Sequence, residues 1–555
     1  MPDRSPRLPS NSQRHIWFPL LLSVALVLGI LLGLRLAPRV TNVVPRAGSI
    51  HGSSGKVEEL LRYVENKYVD EVDRDRLVDK AIESILQELD PHSTYISAAD
   101  FQATDENMRG NFEGIGVEFM LLDDTVVIVS PLPGGPSERA GILPGDRIVT
   151  VEDSLLAGVN ISNDDITRHL KGPKGSEVRV GVRRDDETAL REFTIIRDRI
   201  PVRSVDAGYM LEDGIGYVKI NRFSATTHEE FMEELRDLVE NQGMRDLVID
   251  LRYNPGGYLQ EATRMLNQLF DDRDRLLVYT EGRTVGRSEY ETNGHNGLAV
   301  DDIAVLINEG SASASEIMAG AIQDWDRGVI VGRRSFGKGL VQEQYSLRDG
   351  SALRLTVAHY YTPSGRSIQR PYDDRDAYED DINQRFQSGE LIGQDSTAAD
   401  SLRRADEFFT AGNRSVYGGG GITPDVFVPV DSLELDPDFL AVRQGINEFV
   451  FRYAARQQPE LDGYADLNDF RRNFRVSDTL LKRYLTFVDA KGYAYDETQL
   501  DELRPLLVRE LKARIARQRF GEEAFYIILN ESDEVVREAA RLLRNEVPLS
   551  AMKRE

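Results

Sequence analysis

Lys338 is the only lysine between Lys219 and Lys482, while arginine recurs throughout; the whole chain holds 11 Lys against 57 Arg. Arginine would serve any ion pair or phosphate contact in such a sequence. It cannot lose a proton near neutral pH, whereas a desolvated lysine can. Lys338 sits between Gly337 and Gly339 in "VGRRSFGKGLVQ" (residues 331–342), whose Gly332 to Lys338 also fit the start of a phosphate-binding loop, G-x-x-x-x-G-K. That reading fails. Gly339 follows where magnesium binding needs Ser or Thr, "LVQEQYSL" then reads as a strand instead of a helix, and the acid of "LVID" (residues 247–250) precedes the loop. A merely solvated charge is the plain alternative to a general base.

A general base needs a nucleophile. "NEGSASASEI" (residues 308–317) offers Ser311, Ser313 and Ser315 at a strand-to-helix junction, where the first N–H groups are unpaired and the helix dipole favours a developing anion. The structural alternative is that these serines only cap the helix, with Glu316 adding a first-turn charge. "NPGG" (residues 254–257) supplies amides without side chains, able to approach a substrate carbonyl; standing alone it would be a plain turn. The chemistry these parts allow is acyl transfer. A neutral lysine takes the serine proton, and two N–H groups hold the tetrahedral oxyanion at about 3–4 kcal/mol per donor. His359, in "LTVAHYYTP", is the histidine for a Ser-His-Asp alternative, although a structural role suits it better. With no Cys and histidines scattered singly, no metal-ligand spacing exists, so neither metal nor cofactor is expected.

The 555 residues suffice for several domains. "IWFPLLLSVALVLGILLGL" (residues 16–34) is uncharged and, at about 1.5 Å per residue, just long enough to span a bilayer. Arg4, Arg7 and Arg14 precede it as on a cytoplasmic flank, and no clean cleavage site follows. We expect a cytoplasmic N-terminus (1–15), an uncleaved anchor (16–36), a linker (37–55) and a helical region (56–105). Residues 106–200 break into short β-rich runs with one short helix, "SNDDITRHLK", capped by Ser162 or Asn163. Residues 201–434 alternate strand and helix, implying an α/β core with a polar insertion at 372–417. Residues 435–555 read as a charged helical extension. Net charge is −25, and about −30 beyond residue 50 by the arithmetic of six Arg and one Asp before it. Such a surface repels nucleic acid.

"GSASASEI", followed by "FGKGLVQ" 25 residues after the central serine, closely resembles the carboxy-terminal processing proteases, a serine peptidase family. "LDPHS", "FEGIG", "GILPGDRI", "LRYNPGG", "YYTPSGRSIQ" and "GGITPD" stand in the family's order, so the resemblance covers about residues 57–430. It implies Ser313 as nucleophile, Lys338 as general base and Gln342 as the residue orienting the lysine. Backbone N–H groups of Ala314 and Gly257 would form the oxyanion hole. The β-rich segment resembles a PDZ domain. There Gly114, Ile115, Gly116 and Val117 of "FEGIGVEF" would capture a C-terminal carboxylate, the ligand would add as a strand, and Ile115, Val117 and Ile166 would line the side-chain pocket.

The implied fold is a multidomain α+β chain. A mostly β PDZ domain precedes an α/β (β-β-α, crotonase/ClpP-like) protease core, with helical regions at both ends. The implied function is a membrane-anchored serine endopeptidase, single-pass in the cell membrane with its catalytic part extracytoplasmic (periplasmic). It would cleave proteins with free C-termini through an acyl-enzyme, without nucleic acid and with homo-oligomerisation open to its helical regions. The rival is a catalytically inactive PDZ scaffold binding protein tails. The resemblance gives the C-terminal extension no role.

Overall fold

The computed structural model describes residues 54–184, 187, 189–294, 297–394 and 406–545. The apolar run at 16–34, and with it the expected anchor, lies outside the described residues; among the described residues no helix is long and apolar enough to cross a membrane. Two compact units divide the chain, residues 1–82 and 83–555. In the first, Arg74 pairs with Glu58 at 3.1 Å and Glu65 at 3.0 Å, bracing the helix Ser54–Lys67. All three side chains are exposed, so these pairs add little to stability.

The β-rich segment of the second unit forms an antiparallel sheet in the order Val117–Leu122, Thr125–Pro131, Arg147–Val151, Glu177–Arg183, Arg191–Ile196. Val178, Val180 and Val182 turn inward by period-two alternation and pack with Val126, Ile128 and Ile148. The helix Asn163–Leu170 closes this core and starts where Ser162 accepts from the Asp165 N–H. Val117–Leu122 is an outer strand, as addition of a ligand strand requires.

The core sheet runs Val205–Glu212, Ile215–Ile220, Asp246–Asp250, Ile303–Ile307, Val329–Gly332, Val426–Phe427, antiparallel in its first pair and parallel thereafter. Parallel strands covered on both faces must be apolar throughout, and "DLVID" and "IAVLI" are nearly so. Ile249 packs on one face with Phe231, Met265 and Ile317 from the helices Thr227–Arg236, Leu259–Leu269 and Ala314–Asp324. Val248 faces the other way, against Val535, Val536 and Ala539 of the helix Glu534–Arg544. The end of the C-terminal extension thus supplies the second cover of the central sheet, a role that the sequence did not disclose. The preceding helices, from Pro437–Arg443 to Leu500–Phe520, build a core of their own around Phe449, Phe470, Tyr484 and Leu507.

A second sheet carries the hairpin Leu340–Ser346 and Ala352–Tyr361, flanked by Thr94–Ile96 and Arg273–Glu281. The loop holding Lys338 therefore opens a strand. That geometry removes the phosphate-loop reading, which needs a helix N-terminus there.

Candidate active site

The three serines separate by their surroundings. Ser311 is buried and donates through Oγ to the Leu251 carbonyl at 2.8 Å; Ser315 is buried and donates to the Asn254 carbonyl at 2.9 Å. Both tie the junction to the "LRYNPGG" segment (residues 251–257). Ser313 is half-exposed and holds φ 54°, ψ −112° at the start of the helix Ala314–Asp324. An L-residue in such a region costs about 1–3 kcal/mol and persists only when its neighbours dictate it. They do so here. The Ala312 N–H donates to the Asn254 carbonyl at 3.0 Å, and the Ser313 N–H donates to Glu316 Oε2 at 2.8 Å.

Glu316 is fully buried and joins the two halves of the site. The Oε2 atom that holds the Ser313 amide also accepts from the Lys338 N–H at 2.9 Å, while Oε1 accepts from the Gly337 N–H at 2.7 Å and from the Ser335 hydroxyl. Burial pushes its carboxyl up, against the pull of these donors. Tyr360 adds a second clamp, its hydroxyl 2.6 Å from the Lys338 carbonyl and 3.1 Å from that of Ser313. Two segments 25 residues apart are locked at their backbones.

The Lys338 side chain is half-buried, and its Nζ donates to Gln342 Oε1 at 2.9 Å. Gln342 in turn donates to the His92 carbonyl at 2.7 Å. Desolvation, then the Arg354 guanidinium, lower the Lys338 pKa and favour the neutral amine. His92 is likewise driven down to about 4 by burial and by Lys338, so it is neutral, with Nε2 2.6 Å from the Tyr378 hydroxyl. Among the described residues no hydrogen bond joins Lys338 Nζ to the Ser313 hydroxyl. Catalytic contacts that are long in a free enzyme commonly tighten on binding substrate.

The "NPGG" loop lies on the serine turn. A methyl group at Gly256 would meet Ser313 Cβ at 2.8 Å and the Ala314 nitrogen at 2.9 Å, so only glycine fits. The Gly256 N–H is used by Asn254 Oδ1 at 2.9 Å. The N–H groups of Ala314 and Gly257, the two expected oxyanion donors, have no acceptor among the described residues. Glu316, Tyr360 and His92 escaped the sequence reading as site residues. Only Glu316 left a signal, the S-x-x-E spacing of a capping box. His359 stands apart in its strand, paired in register with Leu340 and Glu281.

In the β-rich module, Gly116 adopts φ 71°, and its carbonyl accepts from the Leu132 N–H at 3.0 Å. Gly114 bridges Lys171, just past the helix Asn163–Leu170. Val117 is half-buried, whereas Ile115 and Ile166 are sealed in the core at 2 % and 0 % exposure. A ligand side chain reaches those two only if helix and strand part.

Comparison with known proteins agrees with this architecture. Residues 214–378 match peptidase family S41, residues 114–195 match a PDZ domain, and residues 439–521 match a family of unknown function. The carboxy-terminal processing protease CtpB of Bacillus subtilis (strain 168) is 35 % identical over 318 residues, 57 % of this chain and 65 % of that one. A probable CtpA-like serine protease of Staphylococcus aureus (strain N315) is 35 % identical over 318 residues, 56 % of this chain and 62 % of its own length. This chain thus spans a little under two thirds of those relatives. Among solved structures, a photosystem II D1 C-terminal processing protease is 32 % identical, covering 57 % of this chain and 84 % of that one with a TM-score of 0.31. With a PDZ domain ahead of a peptidase family S41 segment, the chain is similar to the carboxy-terminal processing proteases over a little under two thirds of their length.

Proposed function

We propose that this protein is a serine endopeptidase that engages protein C-termini through its PDZ domain and cleaves with a Ser313–Lys338 dyad. The observation that carries this reading is the single Glu316 oxygen accepting from the amides of both Ser313 and Lys338. It fixes a strained, half-exposed serine beside a desolvated lysine. As Ser313 Oγ bonds to the peptide carbonyl carbon, its proton passes to neutral Lys338. The carbonyl electrons collect on an oxygen facing the Ala314 and Gly257 N–H groups. Collapse breaks the C–N bond, with Lys338 returning the proton to the leaving amine. Water then attacks the ester carbonyl, giving one proton to Lys338; the acyl–oxygen bond breaks, and Ser313 Oγ takes that proton back from Lys338. Gln342 holds the lysine amine in place.

The PDZ domain would add a substrate tail along Val117–Leu122, its carboxylate on the amides of the Gly114–Val117 loop. The N-terminal apolar run would anchor the enzyme with its catalytic part outside the cytoplasm. Exposed Leu60 and Tyr63 on the helix Ser54–Lys67, with exposed Tyr68 just past its end, support assembly into a homo-oligomer.

The test is incubation with an unstructured protein such as β-casein, alongside labelling by a fluorophosphonate. We expect new peptide termini and a label mapped to Ser313, both absent in Ser313→Ala. Neither cleavage nor label in the wild type would leave a PDZ scaffold. For the anchor, carbonate-washed membranes should retain the chain; a mature N-terminus near residue 40 or later would contradict it.

A further inference from the structure

The helical region at 439–521, which matches a family of unknown function, contains a cleft of about 510 Å³ between the helices Ile446–Arg456 and Asp478–Lys491. Phe449, Arg452, Tyr453 and Arg456 line it from the first helix at i, i+3, i+4, i+7. Lys482, Arg483, Thr486 and Phe487 line it from the second helix at a similar spacing. Each helix turns one face to the cleft. The floor is apolar: Phe449 and Tyr453 are buried with rings stacked 6.2 Å apart, and Phe487 closes on Phe449 at 5.7 Å.

The rim is cationic. Arg456, Lys482 and Arg483 are exposed and pair with no carboxylate among the described residues. Arg483 lies 5.7 Å from the Tyr453 ring, and Arg452 is held by Glu448 at 2.8 Å and by Asp123 of the PDZ domain at 3.1 Å. Acidic residues outnumber Lys and Arg by 93 to 68 in this chain. Three unpaired cations around one apolar floor invert that balance locally.

We propose that this cleft docks an acidic segment of another protein, its carboxylates on Arg456, Lys482 and Arg483 and one apolar side chain against Phe487. A nucleic acid fits worse. The Phe449 and Tyr453 rings are buried and offer no open face for a base, and a chain of net charge −25 opposes a long run of phosphates. The site does not depend on the peptidase chemistry. It adjoins the PDZ domain, because Phe451 on the same helix packs against Leu122, Val127 and Val129.

The test uses the full chain and a fluorescein-labelled peptide of Asp and Glu around a single Phe, amidated so that carboxylate capture by the PDZ domain plays no part. Anisotropy should report binding that weakens as salt is raised, and no binding when every Asp and Glu becomes Lys. Lys482→Glu with Arg483→Glu should weaken it about tenfold or more, with a cooperative melt retained. The milder pair Lys482→Gln and Arg483→Gln should weaken it less, and serves if the reversal disturbs folding. Failure of the acidic peptide to bind, equal binding of the Lys-substituted peptide, unchanged affinity in a folded variant, or preference for an oligothymidylate would each overturn the proposal.

Discussion

At Ser313 the backbone is forced to φ 54°, ψ −112° and held there by Asn254, Glu316 and Tyr360, which come from three different segments. At Gly114–Val117 the same kind of amide-presenting turn uses Gly116 at φ 71°, where glycine carries no strain, and is held by three hydrogen bonds, from the Leu132 N–H to the Gly116 carbonyl and from the Ser137 N–H and hydroxyl to the Ile115 carbonyl, and by apolar packing. The first turn recruits a buried carboxylate and four donors; the second recruits no charge. On the proposed mechanism, the physical reason lies in what each turn would do. Amides that stabilise an oxyanion must be aimed before the charge develops, because reorganisation during the reaction raises the barrier. Amides that capture a tail can adjust as the ligand enters, and the sealed positions of Ile115 and Ile166 fit a site that opens on binding.

The contrast is broken most severely at Glu316. Glu316→Gln keeps the shape but replaces one acceptor oxygen with a donor facing backbone N–H groups, each unsatisfied donor costing about 1–3 kcal/mol. Peptide cleavage should fall about 100- to 1,000-fold as Ser313 and Lys338 lose their common anchor, and a thermal melt should shift down. Near-normal turnover in a folded Glu316→Gln variant would mean that the nucleophile turn needs no charge either. At the PDZ loop the expected effect is smaller. Amidating the C-terminus of a bound peptide removes a charge-assisted set of hydrogen bonds and should weaken binding by about tenfold or more, about 1.5–3 kcal/mol. Equal titration curves for acid and amide would refute carboxylate capture. Smallest is the strain itself. Ser313→Gly and Ser313→Ala should be equally inactive, but glycine should be the more stable of the two by about 1 kcal/mol, since only it occupies this φ without penalty. Matching denaturation midpoints would show the turn to be unstrained.

Much of the fold is visible in local patterning, because period-two runs and apolar parallel strands carry their own signature. The cover provided by Glu534–Arg544 is not. Its Val535, Val536, Ala539 and Leu543 mark an amphipathic helix, but nothing local names the Val248 face as its partner. At the site, glycines around a lone lysine and the spaced serines are local signals. Glu316 reads as an ordinary first-turn acid because its other partners, Ser335, Gly337 and Lys338, lie 19 to 22 residues away. Tyr360 reads as a strand residue for the same reason. Which serine stays free follows from Leu251 and Asn254, about 60 residues upstream, engaging Ser311 and Ser315.

The most direct test of the account is Lys338→Arg, measured by peptide cleavage across pH beside a thermal melt. Desolvation and Arg354 lower the Lys338 pKa, so the wild type should gain activity as pH rises through that lowered value and the amine sheds its proton. Arginine preserves the charge but stays protonated at every working pH. Lys338→Arg should therefore fold and remain as inactive as Ser313→Ala from end to end of the profile, and the double variant should be little worse than either single one. Substantial cleavage by a folded Lys338→Arg protein would take Lys338 out of the mechanism.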